Sequence, residues 1–206
     1  MSAKENLRKI HSAPEVVLSN AYGTAIIKGQ TVGQVGFPTG QIVLADPTRR
    51  FGIEDFKRKA FAISVQPGNY PVVVYHAHSK DYRTLAFAEI KFSDEVPVTF
   101  SVAKTMIDAE NKRHGHCGYY VNDNTTGFMD AKVFQANCDT PRFSGGILSG
   151  FCEGLENGNS CAIGRSKNGE LSAALFKVTS GYYYWYWGKD RAGKVCTITA
   201  DFFTYV

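Results

Sequence analysis

No apolar run in the chain is long enough to cross a bilayer as a helix; the strongest window, Tyr70 to Tyr75, has the length of a strand. A hydrophobic segment is also missing after the charged start, where Lys4, Glu5, Arg8 and Lys9 crowd the first ten residues, so no cleavable secretory signal is read. The expectation is a soluble protein kept in the cytoplasm, with no membrane partner. Cysteine is sparse and odd in number: Cys117, Cys138, Cys152, Cys161 and Cys196 form no Cys-x-x-Cys pair. Free thiols are expected, Cys152 with Cys161 being the one pair that the Gly- and Asn-rich stretch between them could bring together. A charge excess is lacking as well. Lys and Arg total 23 against 19 Asp and Glu, a net +4, too little to make nucleic acid the expected partner.

Motifs of well-known chemistry are absent too. Gly158 to Ser166 is one residue too long for a P-loop and carries Arg165 where Lys is needed. Gly145-Gly146 and Ser149-Gly150 lack the strand–turn–helix frame of a nucleophile elbow. His76 and His78 flank one residue of an expected strand and so share a face, and His114 and His116 precede Cys117, but no zinc framework has this spacing. No metal site and no cofactor is expected.

What remains is a chain of 206 residues and 22.7 kDa, 44% hydrophobic, 20% charged and 13% aromatic, which excludes disorder, collagen-like repeats and coiled coils. Its size allows a core that folds without staples. Apolar residues recur with period two, in runs rich in Val, Ile, Thr, Phe and Tyr. The expected fold is mainly β, all-β or α+β, with antiparallel sheets packed as a sandwich or partly open barrel. Strands are read at 15–19, 22–28, 41–45, 61–65, 70–76, 83–92, 97–102, 118–122, 171–178, 182–187 and 195–205. Tight turns are read at Pro67-Gly68-Asn69 and Asp190-Arg191-Ala192-Gly193. Short helices are expected at 2–10, 54–59 and 129–137. Residues 144–169 hold seven of the twenty glycines and read as a long excursion without extended regular structure. The chain divides into an N-terminal helix with leading strands, 1–35, and a β-rich domain, 36–206.

Three sets of residues stand out as candidate binding positions. Tyr182 to Trp187 is a run of six aromatics ended by Gly188; as a strand it sends Tyr182, Tyr184 and Tyr186 one way and Tyr183, Trp185 and Trp187 the other. One face must fill the core, and the other, assigned to Tyr183, Trp185 and Trp187, is offered as a binding surface. Arg49, Arg50, Lys57, Arg58 and Lys59 could present a positive patch to a small anionic ligand or an acidic protein. Asp46, Asp130 and Asp201 stand near element ends, where each can cap or tie down a loop; if they converged they could do acid–base work.

Several motifs in order resemble a bacterial family of domains of unknown function, number 4241: Gly40 to Pro47, Gln66 to Val72, Ala88 to Asp94, Gly118 to Val121 with Gly127 to Ala131, Tyr186-Trp187-Gly188 with Asp190 and Gly193, and Thr199 to Phe202. The resemblance runs from about Gly36 onward and implies a compact β-rich protein, without a catalytic residue set. The family's Gly-Asp-Gly step is here Thr179-Ser180-Gly181, which removes a carboxylate from any acidic centre. The preferred functional expectation is a non-enzymatic module that recognises a protein partner, in the manner of bacterial immunity or defence proteins. The alternatives are a hydrolase or transferase acting on a polar small molecule through Asp46, Asp130 and Asp201 with a histidine such as His116, and a pocket for a phosphorylated metabolite or nucleotide using Arg49, Arg50 and Arg165.

Overall fold

The computed structural model describes residues 2–21, 23–46, 51–80, 82–111, 118–121, 124–139, 155, 159–166 and 169–203. Antiparallel β-structure dominates, as the period-two pattern requires. The first sheet runs β1 (Glu15–Asn20), β2 (Gly23–Phe37), β4 (Gly68–His78), β5 (Arg83–Lys91), β12 (Val195–Asp201), β11 (Gly181–Lys189), β6 (Thr99–Val102), with β7 (Tyr119–Val121) joined to the start of β11. The second sheet runs β3 (Ile42–Ala45), β8 (Thr125–Asp130), β10 (Ser172–Lys177), β9 (Cys161–Arg165). Strand β2 passes through residues 35 and 36, so the leading strands join the same sheet as the rest of the chain.

Helix α1 (Ala3–Ile10) begins at Ser2, whose hydroxyl accepts the Glu5 backbone N–H, and carries Glu5 in its first turn and Arg8 and Lys9 in its last, the order a helix dipole favours. Its apolar stripe of Ala3, Leu7 and Ile10 is buried. The helix touches both β1 and β6, the two ends of the seven-strand path, so the first sheet curls around it as a half-barrel. The opposite face of this sheet packs on the second sheet. On the outer face of the second sheet lie α2 (Phe56–Lys59), α3 (Met106–Glu110), which touches α2, and α4 (Ala131–Asp139), with Phe51, Phe56 and Phe134 in ring contact.

Several local expectations hold. The hairpin at Asp190–Gly193 joins β11 to β12: Gly193 takes φ +80°, its N–H donates to the Asp190 carbonyl at 3.0 Å, and the Lys194 N–H donates to the Asp190 carboxylate at 2.9 Å. Gly188 ends the aromatic run because a Cβ there would lie 2.3 Å from Thr197 Oγ1 and 2.8 Å from Pro97 Cβ. Other expectations fail. Gly68 and Asn69 open β4 rather than turning a hairpin, since Phe37 of β2 pairs with Gly68 and takes up the strand end. Residues 61–65 form no strand and make a single bridge, Phe61 to Thr105. The stretch 125–130, expected to lead into a helix at 129, is strand β8, and the helix starts at Ala131 after Asp130 caps it. Within the glycine-rich excursion, 161–165 is strand β9, held by β10; residues 140–154 and 156–158, Cys152 among them, lie outside the described residues, and Cys161 is a free thiol.

The partition of the aromatic run is as alternation predicts. Tyr183, Trp185 and Trp187 enter the core between the sheets, while Tyr184 and Tyr186 face α1. Trp185 lies edge-on to Phe128 at 4.9 Å and to Phe202 at 5.7 Å, and Trp187 to Phe61 at 5.6 Å. Neither indole N–H has a hydrogen-bond partner among the described residues, so both rings act through packing. Trp185→Ala is therefore expected to cost about 3–5 kcal/mol of stability, and Trp185→Phe clearly less, because only ring volume is lost. Urea denaturation of the two variants checks this; equal losses would show that the indole N–H matters more than the volume.

Candidate functional site

Tyr183, Trp185 and Trp187 are 2%, 1% and 1% exposed. As a set they do not form an exposed binding face in the folded protein, and of the three only Tyr183 lines a cavity described below. Alternation told which rings share a face, but not that the second sheet covers that face and α1 the other. Of the six aromatics only Tyr182, 62% exposed, is open, and its ring lies 5.0 Å from that of Tyr120, itself 50% exposed.

The three carboxylates do not converge either. Asp130 accepts the Thr39 N–H at 3.0 Å and the Thr39 hydroxyl at 2.7 Å on one oxygen, and the Lys132 N–H at 2.8 Å on the other. It thereby pins the β2–β3 turn to the start of α4. Asp46 follows Ala45, which pairs with Gly127, while Ile42 pairs with Asp130; about four strand residues, on the order of 13 Å, thus separate the two. Asp201 accepts the Phe203 N–H at 2.9 Å, closing β12. It shares the α1-facing side of its strand with Thr199, whereas Asp130 shares the inter-sheet side of β8 with Phe128, so the first sheet stands between them. The acidic centre proposed for an enzyme is not assembled. Arg49, Arg50, His114, His116 and Cys117 lie outside the described residues, and Arg165 ends β9 at an exposed position.

A buried polar cluster that the sequence reading missed lies beneath α1. His11, at the helix C-terminus, stacks on Phe100 with ring centroids 5.6 Å apart and places Nε2 3.6 Å from Glu89 Oε1. Glu89, fully buried on β5, accepts the Tyr75 hydroxyl at 2.7 Å. Burial pushes the Glu89 carboxyl up to about 7, against the opposing pull of the Tyr75 hydroxyl and the Lys91 ammonium. Burial and then Lys91 hold His11 down near 4. The pair thus sits most comfortably uncharged, a protonated acid facing a neutral imidazole. A glutamate in an apolar strand is the one signal that could have found it, with a histidine just after a helix as its partner.

A cavity of about 730 Å³ opens beside His11, Asp94 and the 190–192 turn, and two smaller ones lie at the other end of the sandwich, where β5 and β11 begin and β4, β10 and β12 end. A mostly apolar cavity of about 340 Å³ is lined there by Tyr82, Leu85, Val178, Tyr183, Phe202 and Phe203. Tyr183 forms its wall, with the hydroxyl donating to the Thr179 carbonyl at 2.6 Å. A second, polar cavity of about 240 Å³ is lined by Gln30, His76, Arg83, Asn159 and Ser160, and shares Thr84 and Leu85 with the first. His76 and His78 do lie side by side, with ring centroids 6.4 Å apart. His76 Nε2 is 2.6 Å from Ser160 Oγ, and an Arg83 guanidinium nitrogen lies 3.4 Å from Nδ1. Since a guanidinium can only donate, Nδ1 accepts; the ring proton is then on Nε2 and is donated to Ser160. Burial, followed by the charges of Arg83 and His78, holds His76 near 4, hence neutral. In this tautomer the imidazole cannot take the serine proton, so the Ser160–His76 contact is not an activated nucleophile.

The buried acid has a readable pH signature. A carboxyl raised in the folded state stabilises fully below its unfolded value, 4.5, and that contribution is lost as pH climbs through about 7. His11 works the other way, its contribution full above 6.5 and lost as pH falls through about 4. Glu89→Gln keeps the shape and has no charge to bury. It is expected to be more stable than the parent at pH 8 by on the order of 2–3 kcal/mol and close to it at pH 5. Urea titrations at the two pH values check this; a variant destabilised at pH 8 would mean that the folded protein holds Glu89 charged.

No curated protein and no solved structure matches the chain with significance. A family model described as protein of unknown function (DUF4241) matches residues 35–200. That span contains the second sheet, most of the first and the larger part of the walls of both smaller cavities, while α1, His11 and β1 precede it, as do Asn20, Gln30 and Val32 of the walls, and Phe202 and Phe203 follow it. The chain belongs to the DUF4241 family.

Proposed function

We propose that the protein is a non-enzymatic recognition module whose binding site is the open end of the sandwich, and that its partner is a protein inserting an aromatic or aliphatic side chain there. The observation that carries this reading is the apolar cavity of about 340 Å³ beside Tyr82, a tyrosine 40% exposed. A concave apolar pocket with a few fixed polar groups and a tyrosine at its lip is the usual setting of an interface hot spot. Charge complementarity favours the same place, because Arg83 stands at the neighbouring wall without a carboxylate partner among the described residues.

The test is affinity capture from an extract of the source organism with the parent protein and three variants. Thr84→Arg, an exposed position common to both cavities, and Tyr82→Ala are expected to lower partner recovery by about tenfold or more, with unchanged thermal unfolding. Tyr182→Ala, exposed on the strand opposite Tyr120, is expected to leave recovery intact. Recovery of a toxin would extend the reading to an immunity role. Undiminished recovery with Thr84→Arg would overturn it.

A further inference from the structure

The polar cavity has a chemistry of its own, separable from the apolar one. Each described polar side chain on its wall, from Gln30, His76, Arg83, Thr84, Asn159 and Ser160, can donate a hydrogen bond, and none is a carboxylate. Burial pushes the Cys161 thiol up to about 12, so the described residues of this wall contribute no negative charge at neutral pH. Among the described residues Arg83 makes one bond, to His76 Nδ1, and the rest of its guanidinium fork is unspent. Because Ser160 accepts from His76 Nε2, the serine keeps its own proton to donate. His76 thus has two partners that fix its ring, Arg83 on one nitrogen and Ser160 on the other, and both retain donor capacity.

We infer that Arg83 and Ser160, held by His76, form an oxyanion subsite, and that the end of the sandwich takes an amphipathic anion: a carboxylate or phosphate at Arg83 with its apolar body in the neighbouring cavity. This rests on the recognition reading and sharpens it, since a chain-terminal carboxylate on an apolar last residue meets both halves at once. A planar guanidinium suits such an oxyanion through paired N–H bonds. The shared wall at Thr84 and Leu85 places the two halves next to each other. His76 acts as a positioning residue.

Three small probes separate the possibilities: N-acetyl-phenylalanine, its neutral amide, and phenyl phosphate, titrated into the full chain and followed by NMR at the His76 ring. The carboxylate is expected to bind at least about tenfold more tightly than the amide. Arg83→Gln should erase that preference and Ser160→Ala should reduce it several-fold, with the amide affected by neither. Bound anion offsets the positive charge of Arg83, so the His76 pKa should rise from about 4 when the probe is present. That shift would not occur if the histidine were merely structural. Tighter binding of phenyl phosphate than of the carboxylate assigns the subsite to phosphorylated ligands, and the reverse to chain termini. Equal affinity for acid and amide, or an unchanged preference in Arg83→Gln, overturns the inference. Partner capture lost in Thr84→Arg but kept in Arg83→Gln would defeat the subsite and leave the recognition reading standing. Probe binding with capture insensitive to Thr84→Arg would do the opposite.

Discussion

Strand β11 drives Tyr183, Trp185 and Trp187 into the space between two sheets and Tyr184 and Tyr186 toward α1. Rings of this size bury more apolar area than any other side chains, and here they meet Phe61, Phe128 and Phe202 edge-on. The arrangement obliges the first sheet to have a neighbour on each side. The second sheet meets one requirement, and α1, clasped by a sheet that curls until both its ends reach the helix, meets the other. With both broad faces occupied, binding surface is left to edges and ends. The cavities follow that rule, opening where the strands of the two layers stop.

The same constraint explains the unusual polar cluster. Covering the concave face with a helix traps Glu89 away from water, and a buried carboxyl can persist there only if it is hydrogen-bonded or neutral. Tyr75 supplies the bond, and the raised affinity of Glu89 for its proton supplies the neutrality. His11, itself pushed toward neutrality, closes the cluster from the helix side. Docking of α1 is thereby tied to protonation as well as to apolar contact. At the open end a charge stays in reach of solvent: partial burial and then the exposed Arg83 guanidinium keep His76 beside it neutral.

Much of the architecture was legible in the sequence because its cues are local. Period-two runs marked ten of the twelve strands among the described residues, Asp190 to Gly193 closed the expected hairpin, and the alternation of Tyr182 to Trp187 sorted the rings correctly. Strand β8 was missed because Gly127 sits in the middle of it and Asp130 at its end looked like a helix start, which it also is. Strand β9 hid among glycines and owes its form to pairing with β10. The site was far less legible. Which ring face is covered, whether Asp46, Asp130 and Asp201 meet, and that Ser160 reaches His76 across 84 residues all depend on tertiary placement that no spacing encodes. His76 itself draws notice in the sequence only as half of a metal pair that its spacing rejects, not as the anchor of an arginine and a serine.

Acrylamide quenching of intrinsic fluorescence tests the sealed aromatic core most directly, since Trp185 and Trp187 are the chain's two tryptophans. The structure requires blue-shifted emission and quenching several-fold weaker than in the urea-unfolded chain. Native emission at the red position of free indole, quenched as readily as in the unfolded chain, would contradict it. The rings would then be available as a docking face, and the end of the sandwich would lose its claim.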